Sequence, residues 1–139
     1  MKKLLMIFLV GPVLGGCATG ITSMQKQELN SFRAKGYFQE EKSAGTAAVL
    51  GLLPGGGSFY TGNYGVGVVN LLFWPLSILW DPISGTNGAD SLNYAVTKAY
   101  IEKLRRSEIR DLDEKLAIGQ IDNKNYVLMK NEIERKYEP

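Results

Sequence analysis

The chain has 139 residues, room for one small domain or two very small ones, with 45% hydrophobic residues and a formal net charge of +2. It has no histidine, which removes the commonest general base and metal ligand, and a single cysteine, so no internal disulfide can form. Charge is unevenly spread: the 38 residues Ser43–Trp80 contain no Asp, Glu, Lys or Arg, whereas charged residues recur every two or three positions from Lys98 to Pro139.

The N-terminal segment MKKLLMIFLVGPVLGGC has a basic start (Lys2, Lys3), an apolar run from Leu4 to Leu14, then Gly15, Gly16 and Cys17. That order is a secretory leader, and the run is too short for a confident membrane span. Leu14-Gly15-Gly16-Cys17 resembles the lipobox of bacterial lipoproteins. The resemblance implies cleavage between Gly16 and Cys17 and a thioether-linked diacylglyceryl group on Cys17. An ordinary leader with an incidental cysteine is the alternative. Ala18, rather than an aspartate, follows Cys17, which by resemblance to enterobacterial lipoprotein sorting favours the outer membrane over the inner. Removing residues 1–16 takes Lys2 and Lys3 away and leaves equal numbers of basic and acidic residues. No electrostatic case for nucleic acid remains.

Residues 17–42 read as anchor and tether with one short helix. Thr22 and Gln25 have capping-box spacing, Gly36 is a stop, and Met24, Leu29 and Phe32 make a poor apolar stripe. Tyr37 and Phe38 between Lys35 and Lys42 read as an interfacial belt or a solvated linker.

The uncharged block, residues 43–82 with its flank, divides at Thr61-Gly62-Asn63 into two apolar segments, Ser43–Phe59 and Tyr64–Trp80. As helices of about 26 Å each, they sit at the short end of what crosses a bilayer. Ala47, Gly51 and Gly55 recur every fourth residue on one helical face, a spacing that lets backbones approach closely in lipid. Gly67 and Asn70 are the expected facing surface, and Ala47, Gly51, Gly55, Gly62, Gly67 and Asn70 the expected hairpin-packing residues, glycine serving close packing and a tight turn. The glycine run PGGGSFYTGNYGVG could be mistaken for a phosphate cradle, yet no lysine and hydroxyl follow its last glycine, so a nucleotide is not expected. Phe59-Tyr60-Thr61-Gly62, Gly67, Leu71 and the aromatic-rich stretch ending Trp80-Asp81 resemble the two-transmembrane-helix ("TM-two") domain family over roughly residues 44–82. The chain departs from it at Gly57-Ser58, where that family often has His-Arg, and at Pro54 and Pro75. If the hairpin spans, its turn points to the cytoplasm without a positive charge while Arg33, Lys35 and Lys42 stay outside, against the positive-inside tendency. Membrane association and burial within protein both stay open. Phe59, Tyr60, Trp74 and Trp80 are the expected contacts to lipid or a partner helix.

Residues 83–91 are rich in breakers and read as a linker, with Asp90 or Ser91 capping the next helix. From Leu92 to Ile118 the pattern is helical, with a register slip near Glu108 that calls for a bend or a winding face. Gly119 closes that helix and Asp122 caps another, with Ile121 and Tyr126 at staple positions. Leu112, Leu116, Ile121, Tyr126, Met129 and Ile133 form the expected interaction face. Leu112–Tyr137, with Gly119, Ile121, Tyr126, Lys130 and Ile133, resembles the short C-terminal (SHOCT) domain. That resemblance implies oligomerisation or docking by residues 92–139.

The expected fold is therefore all-α: a signal helix, a short N-terminal helix, a glycine-rich apolar hairpin, a long C-terminal helix and a short one. No catalytic residues, metal or cofactor are expected, because the acidic residues lie on solvated faces or point around a helix. The expectation is a non-enzymatic, membrane-anchored envelope component whose partners are the lipid bilayer and itself or another envelope protein. The alternatives are a pore-forming or accessory transport subunit, with Asn70, Ser77 and Asp81 along the path, and an envelope protein that blocks a toxin or phage.

Overall fold

The computed structural model describes residues 20–139. The signal helix, the cleavage site at Gly16 and Cys17 lie outside the described residues. Those described form six α-helices and one 3₁₀ turn, with no strand among them. The helices are α1 (Ser23–Ala34), α2 (Ala44–Leu50), α3 (Gly56–Tyr60), α4 (Tyr64–Leu72), α5 (Asp81–Ala117) and α6 (Asn123–Tyr137), with the 3₁₀ turn at Leu76–Leu79.

Helix α5 is the spine. Its 37 residues span about 55 Å, and the other helices pack on it, α4 chiefly through Asn70. It begins eleven residues before Leu92, so the expected linker 83–91 is helix, and Asp90 and Ser91 are interior rather than caps. Pro82 occupies the first turn, where its missing N–H costs nothing. Gly85 and Gly88, read from sequence as breakers, are sites of close approach. An added Cβ at Gly85 would lie 3.0 Å from both the Ala47 carbonyl oxygen and Gly57 Cα, and one at Gly88 2.9 Å from Thr61 Oγ1. Tertiary packing overrides weak helix propensity here.

No break occurs at Glu108; the face winds instead. Buried positions step by four along α5, through Asp81, Gly85, Ala89, Asn93, Thr97 and Ile101. Each four-residue step overshoots a helical turn by about 40°, so the stripe rotates around the spine. Its members are mostly small or polar, which an apolar-periodicity search does not register.

The polar members hold the chain entering the block. Asn93 accepts from the backbone N–H groups of Glu41 (2.7 Å) and Lys42 (2.9 Å) and donates to the Lys42 carbonyl at 2.8 Å. Thr97 Oγ1 accepts from the Gln39 N–H at 3.0 Å. Residues 39–42 are thus a docked strap. Tyr37 and Phe38 are half-buried within the protein: the first lies tilted against Tyr137 with centroids 5.5 Å apart, the second under the Arg33 guanidinium at 4.2 Å.

Helix α1 starts at the expected capping box: Gln25 N–H donates to Thr22 Oγ1, and Thr22 N–H to Gln25 Oε1. Its Leu29 and Phe32 are buried while Met24 is exposed. Phe32, Ile101 and Tyr137 form a small apolar core where α1, α5 and α6 meet, with Tyr37, Leu104 and Ile133 packed around it.

At the C-terminus Gly119 takes φ +73° and Asp122 accepts from the Asn125 N–H at 2.7 Å, so α6 folds back along α5. Side-chain clips fix the pairing: Tyr126 hydroxyl to Asp113 (2.7 Å), Arg105 to Glu134 (3.0 Å), Lys136 and Tyr137 to Glu108 (2.6 and 2.8 Å). The hydrogen bond from Lys136, helped by that from Tyr137, holds the Glu108 carboxyl below its usual 4.5. Conversely, the bond to Glu108 raises Lys136 above its usual 10.5. The clip therefore stabilises α6 fully between these ordinary values. The contribution disappears as pH falls through the lowered Glu108 value, or rises through the raised Lys136 value. Both groups are more than a third exposed, so the effect is below about 1 kcal/mol. Protection factors of α6 amides, corrected for the intrinsic pH dependence of exchange, should fall as pH drops through the lowered Glu108 value in the native chain. Glu108→Gln should remove that acid step while raising exchange slightly at neutral pH; an unchanged acid profile would reassign it.

Candidate functional site

The uncharged block folds against the lower half of α5. Neither expected 17-residue helix forms. The first segment breaks at Gly51–Gly55 around Pro54, which separates α2 from α3, and the second ends α4 at Leu72, three residues before Pro75. Among the described residues no helix is long and apolar enough to cross a membrane.

Contacts along α5 give the order of the parts. Helix α2 descends from the strap level at Asn93, passes Gly85 at Ala47 and reaches Pro82 at Gly51. Helix α3 climbs from Gly57, beside Asp81, to Thr61, beside Gly88. Helix α4 descends again to Asn70, at Asp81. Beyond that level lie the 51–55 turn and residues 71–79.

The buried positions of this block are Ala47, Gly51, Gly55, Gly57, Ser58, Gly67, Asn70, Ser77 and Asp81. All are small or polar. Its large apolar side chains point outward: Val49, Leu52, Leu53, Val68, Val69, Leu71, Leu72, Phe73, Trp74, Leu76 and Leu79 are exposed, Leu72 and Leu79 by 75% each. In a water-soluble fold the large apolar residues would be inside. Here the packing is inverted.

The centre of the inverted block is a hydrogen-bonded seam on Asp81, whose side chain is fully buried. Its carboxylate accepts from Ser58 Oγ (2.5 Å), Asn70 Nδ2 (2.6 Å) and the Gly57 N–H (3.3 Å). Asn70 Oδ1 in turn accepts from the Trp80 indole N–H at 2.7 Å. Three neutral donors and the N-terminal end of α5 surround the Asp81 side chain, and among the described residues no cation pairs with it. Ser77 Oγ is also buried, with no hydrogen-bond partner among the described residues.

Each expected site residue can now be located. Ala47 and Gly51 do form a close-packing face, but against α5 rather than Gly67 and Asn70. An added Cβ at Gly51 would lie 2.5 Å from Pro82 Cα. Gly55 (φ +70°) abuts the Gly67 carbonyl, and Gly67 lies under the Phe59 ring, 2.7 Å from where its Cβ would be. Gly62 (φ +78°) meets nothing within 4 Å, so it serves the turn and not the packing. Asn70 is in the seam. Tyr60 turns inward, its hydroxyl accepting from the Ser43 N–H and its ring lying under Lys42 Nζ at 4.9 Å. Phe59 is half-buried, whereas Trp74 and Trp80 are exposed. On the C-terminal face Leu112 is buried, Leu116, Ile121, Tyr126 and Ile133 are half-buried, and Met129 is exposed. Ser58, Gly85, Asn93 and Thr97 were not singled out by sequence; the four-residue step on α5 is the signal that finds the last three, and no such step marks Ser58.

Elsewhere on α5, burial, then the hydrogen bond to Glu28, pushes the Tyr94 hydroxyl up to about 12. That bond, at 2.8 Å, belongs to the α1–α5 seam. No group of three potential metal-ligating side chains occurs among the described residues. The chain matches no protein-family model, no curated protein and no solved structure, so the family resemblances rest on the quoted motifs.

Proposed function

We propose that this protein is a lipid-anchored envelope component, non-enzymatic, that seats residues 43–82 in the membrane and offers its C-terminal helical pair to a partner, another copy or another envelope protein. The observation that carries the reading is the inverted packing: an apolar shell around small residues and a buried polar seam. In hydrocarbon, small residues bring helices together and polar groups must find partners inside the protein; the close packing and the Asp81 seam meet both conditions, Ser77 Oγ excepted.

The Cys17 anchor fits the same arrangement. Gly20 lies against Asn87, its ideal Cβ 3.6 Å from the Asn87 Cβ. Cys17 stands three residues before Gly20, a reach of about 10 Å at most. A single acyl chain binds membranes only marginally, and the shell supplies the second attachment. The transport alternative gains nothing from the seam: within one chain Asn70, Ser77 and Asp81 are all buried, and the first and last of these satisfy each other. Outer-membrane residence follows from Ala18 only by resemblance to lipoprotein sorting.

Bacteria expressing the chain with labelled palmitate should yield an acylated product in the outer-membrane fraction. Cys17→Ser should lose the label and, held by the apolar block alone, leave the envelope more readily than the native chain under carbonate washing. Label retained by Cys17→Ser would remove the anchor from the proposal.

A further inference from the structure

Resting on that membrane reading, we infer that residues 43–82 enter one leaflet tip-first and do not cross the bilayer. The two ends of the block differ in chemistry. At one end, the Thr61–Asn63 turn packs beside Gly88, level with the incoming strap and with Gly20. Around it lies an open, uncharged groove of about 440 Å³, where Thr61, Asn63, Ser84, Asn87 and Ser91 stand beside Ile83 and Leu92. Charge begins at the same level, with Lys42 beside Tyr60 and Asp90 paired to Lys26 at 3.4 Å.

At the other end, past Asp81, the 51–55 turn and residues 71–79 present Leu52, Leu53, Leu72, Phe73, Trp74, Leu76 and Leu79 outward. A spanning hairpin would put the Thr61–Asn63 turn at the far tip. This chain puts it at the near end, beside its own entry point.

Lengths agree. From Asp81 to Asp90 the spine rises about 13 Å without an exposed charge, and the 71–79 segment adds roughly one helix width of about 10 Å. The sum is well short of the ~30 Å hydrocarbon core and matches one leaflet with its interfacial margin. The strap, α1 and the upper half of α5 then stand in water or headgroups.

The test uses the processed chain, residues 17–139, carrying Cys17→Ser, so that neither leader nor acyl group drives binding. Two further variants each place one thiol, Asn63→Cys at the near end and Leu53→Cys at the tip. The protein is added to preformed vesicles of phosphatidylethanolamine and phosphatidylglycerol, floated, and treated with a membrane-impermeant maleimide from outside. Bound Asn63→Cys should react at close to its detergent-solubilised rate, and Leu53→Cys at least about tenfold slower, recovering when detergent is added. Asn63→Cys protected outside but labelled by reagent trapped in the lumen would mean a spanning hairpin and overturn the inference alone. Both thiols reacting freely on floated protein would mean surface adsorption and overturn it equally. Failure to float would sink the membrane reading together with it.

Discussion

Asp81→Ala should unfold the apolar block while leaving α6 docked. The substitution removes the acceptor for three buried donors: the Gly57 N–H, Ser58 Oγ and Asn70 Nδ2. Each orphaned buried donor costs about 1–3 kcal/mol. Removing a buried carboxyl group gives some of that back, since neutral dipoles replace water imperfectly. Asn70 also retains a longer bond to Ser58 Oγ at 3.1 Å. The donors win, with a net loss of about 3 kcal/mol. Thermal unfolding followed by far-UV circular dichroism in detergent should show an early step about 10 °C below the main one. Asp81→Asn separates charge from hydrogen bonding. It keeps an oxygen for Ser58 and Asn70 but turns an N–H₂ toward the Gly57 N–H, so it should lose less than Asp81→Ala. If Asp81→Ala melts as the native chain does, the seam does not hold the block.

How much of this was legible follows from whether a signal is local. Thr22 with Gln25 makes a capping box because both partners lie within one turn, and Gly119 with Asp122 ends and starts helices by backbone conformation and one side-chain bond. These were readable. So was the division of the chain into an uncharged block and a charged helical tail. The start of the spine was not. Ser84, Gly85, Asn87 and Gly88 read as breakers when propensity alone is weighed, yet α2 and α3 approach so closely that only small residues fit. Asn93 and Thr97 were invisible for a related reason: they bond to the strap backbone more than fifty residues away. The seam was half-visible. Asn70 was expected on the facing surface, and from there it donates to Asp81, which the sequence placed at the end of the aromatic-rich stretch and, in the transport alternative, along the path.

The expected two-helix hairpin also shows where periodicity misleads. The spacing of Ala47, Gly51 and Gly55 reads as one continuous face. In the fold Ala47 and Gly51 belong to that face, while Gly55 takes φ +70° in the turn and packs on α4 instead. Proline at position 54 decides the matter, since it removes a backbone donor and ends the helix before the third member is reached.

Two glycine-to-alanine substitutions in this block should move stability in opposite directions. Gly65 lies within α4, has ordinary helical φ, and an added Cβ would meet nothing within 4 Å. Gly65→Ala therefore restricts the unfolded chain and improves helix propensity without a steric cost, a gain of about 0.5–1 kcal/mol. Gly51 also has an unexceptional backbone, φ −64°, so conformational freedom is not why it is glycine. Its added Cβ would sit 2.5 Å from both N and Cα of Pro82 and 2.9 Å from the Asp81 carbonyl carbon, all backbone atoms of the spine's first turn. Backbone cannot swing aside as a side chain does, so α2 must back away from α5. That movement loosens the packing next to Asp81, where the seam is densest. A loss of about 2–3 kcal/mol is expected from overpacking of this kind. Chemical denaturation of the two variants in the same detergent would measure the difference, about 3 kcal/mol in all. Two shifts of the same sign would mean that α2 is not held against the spine by backbone contact, and the inverted packing of the block would have to be rebuilt around another neighbour.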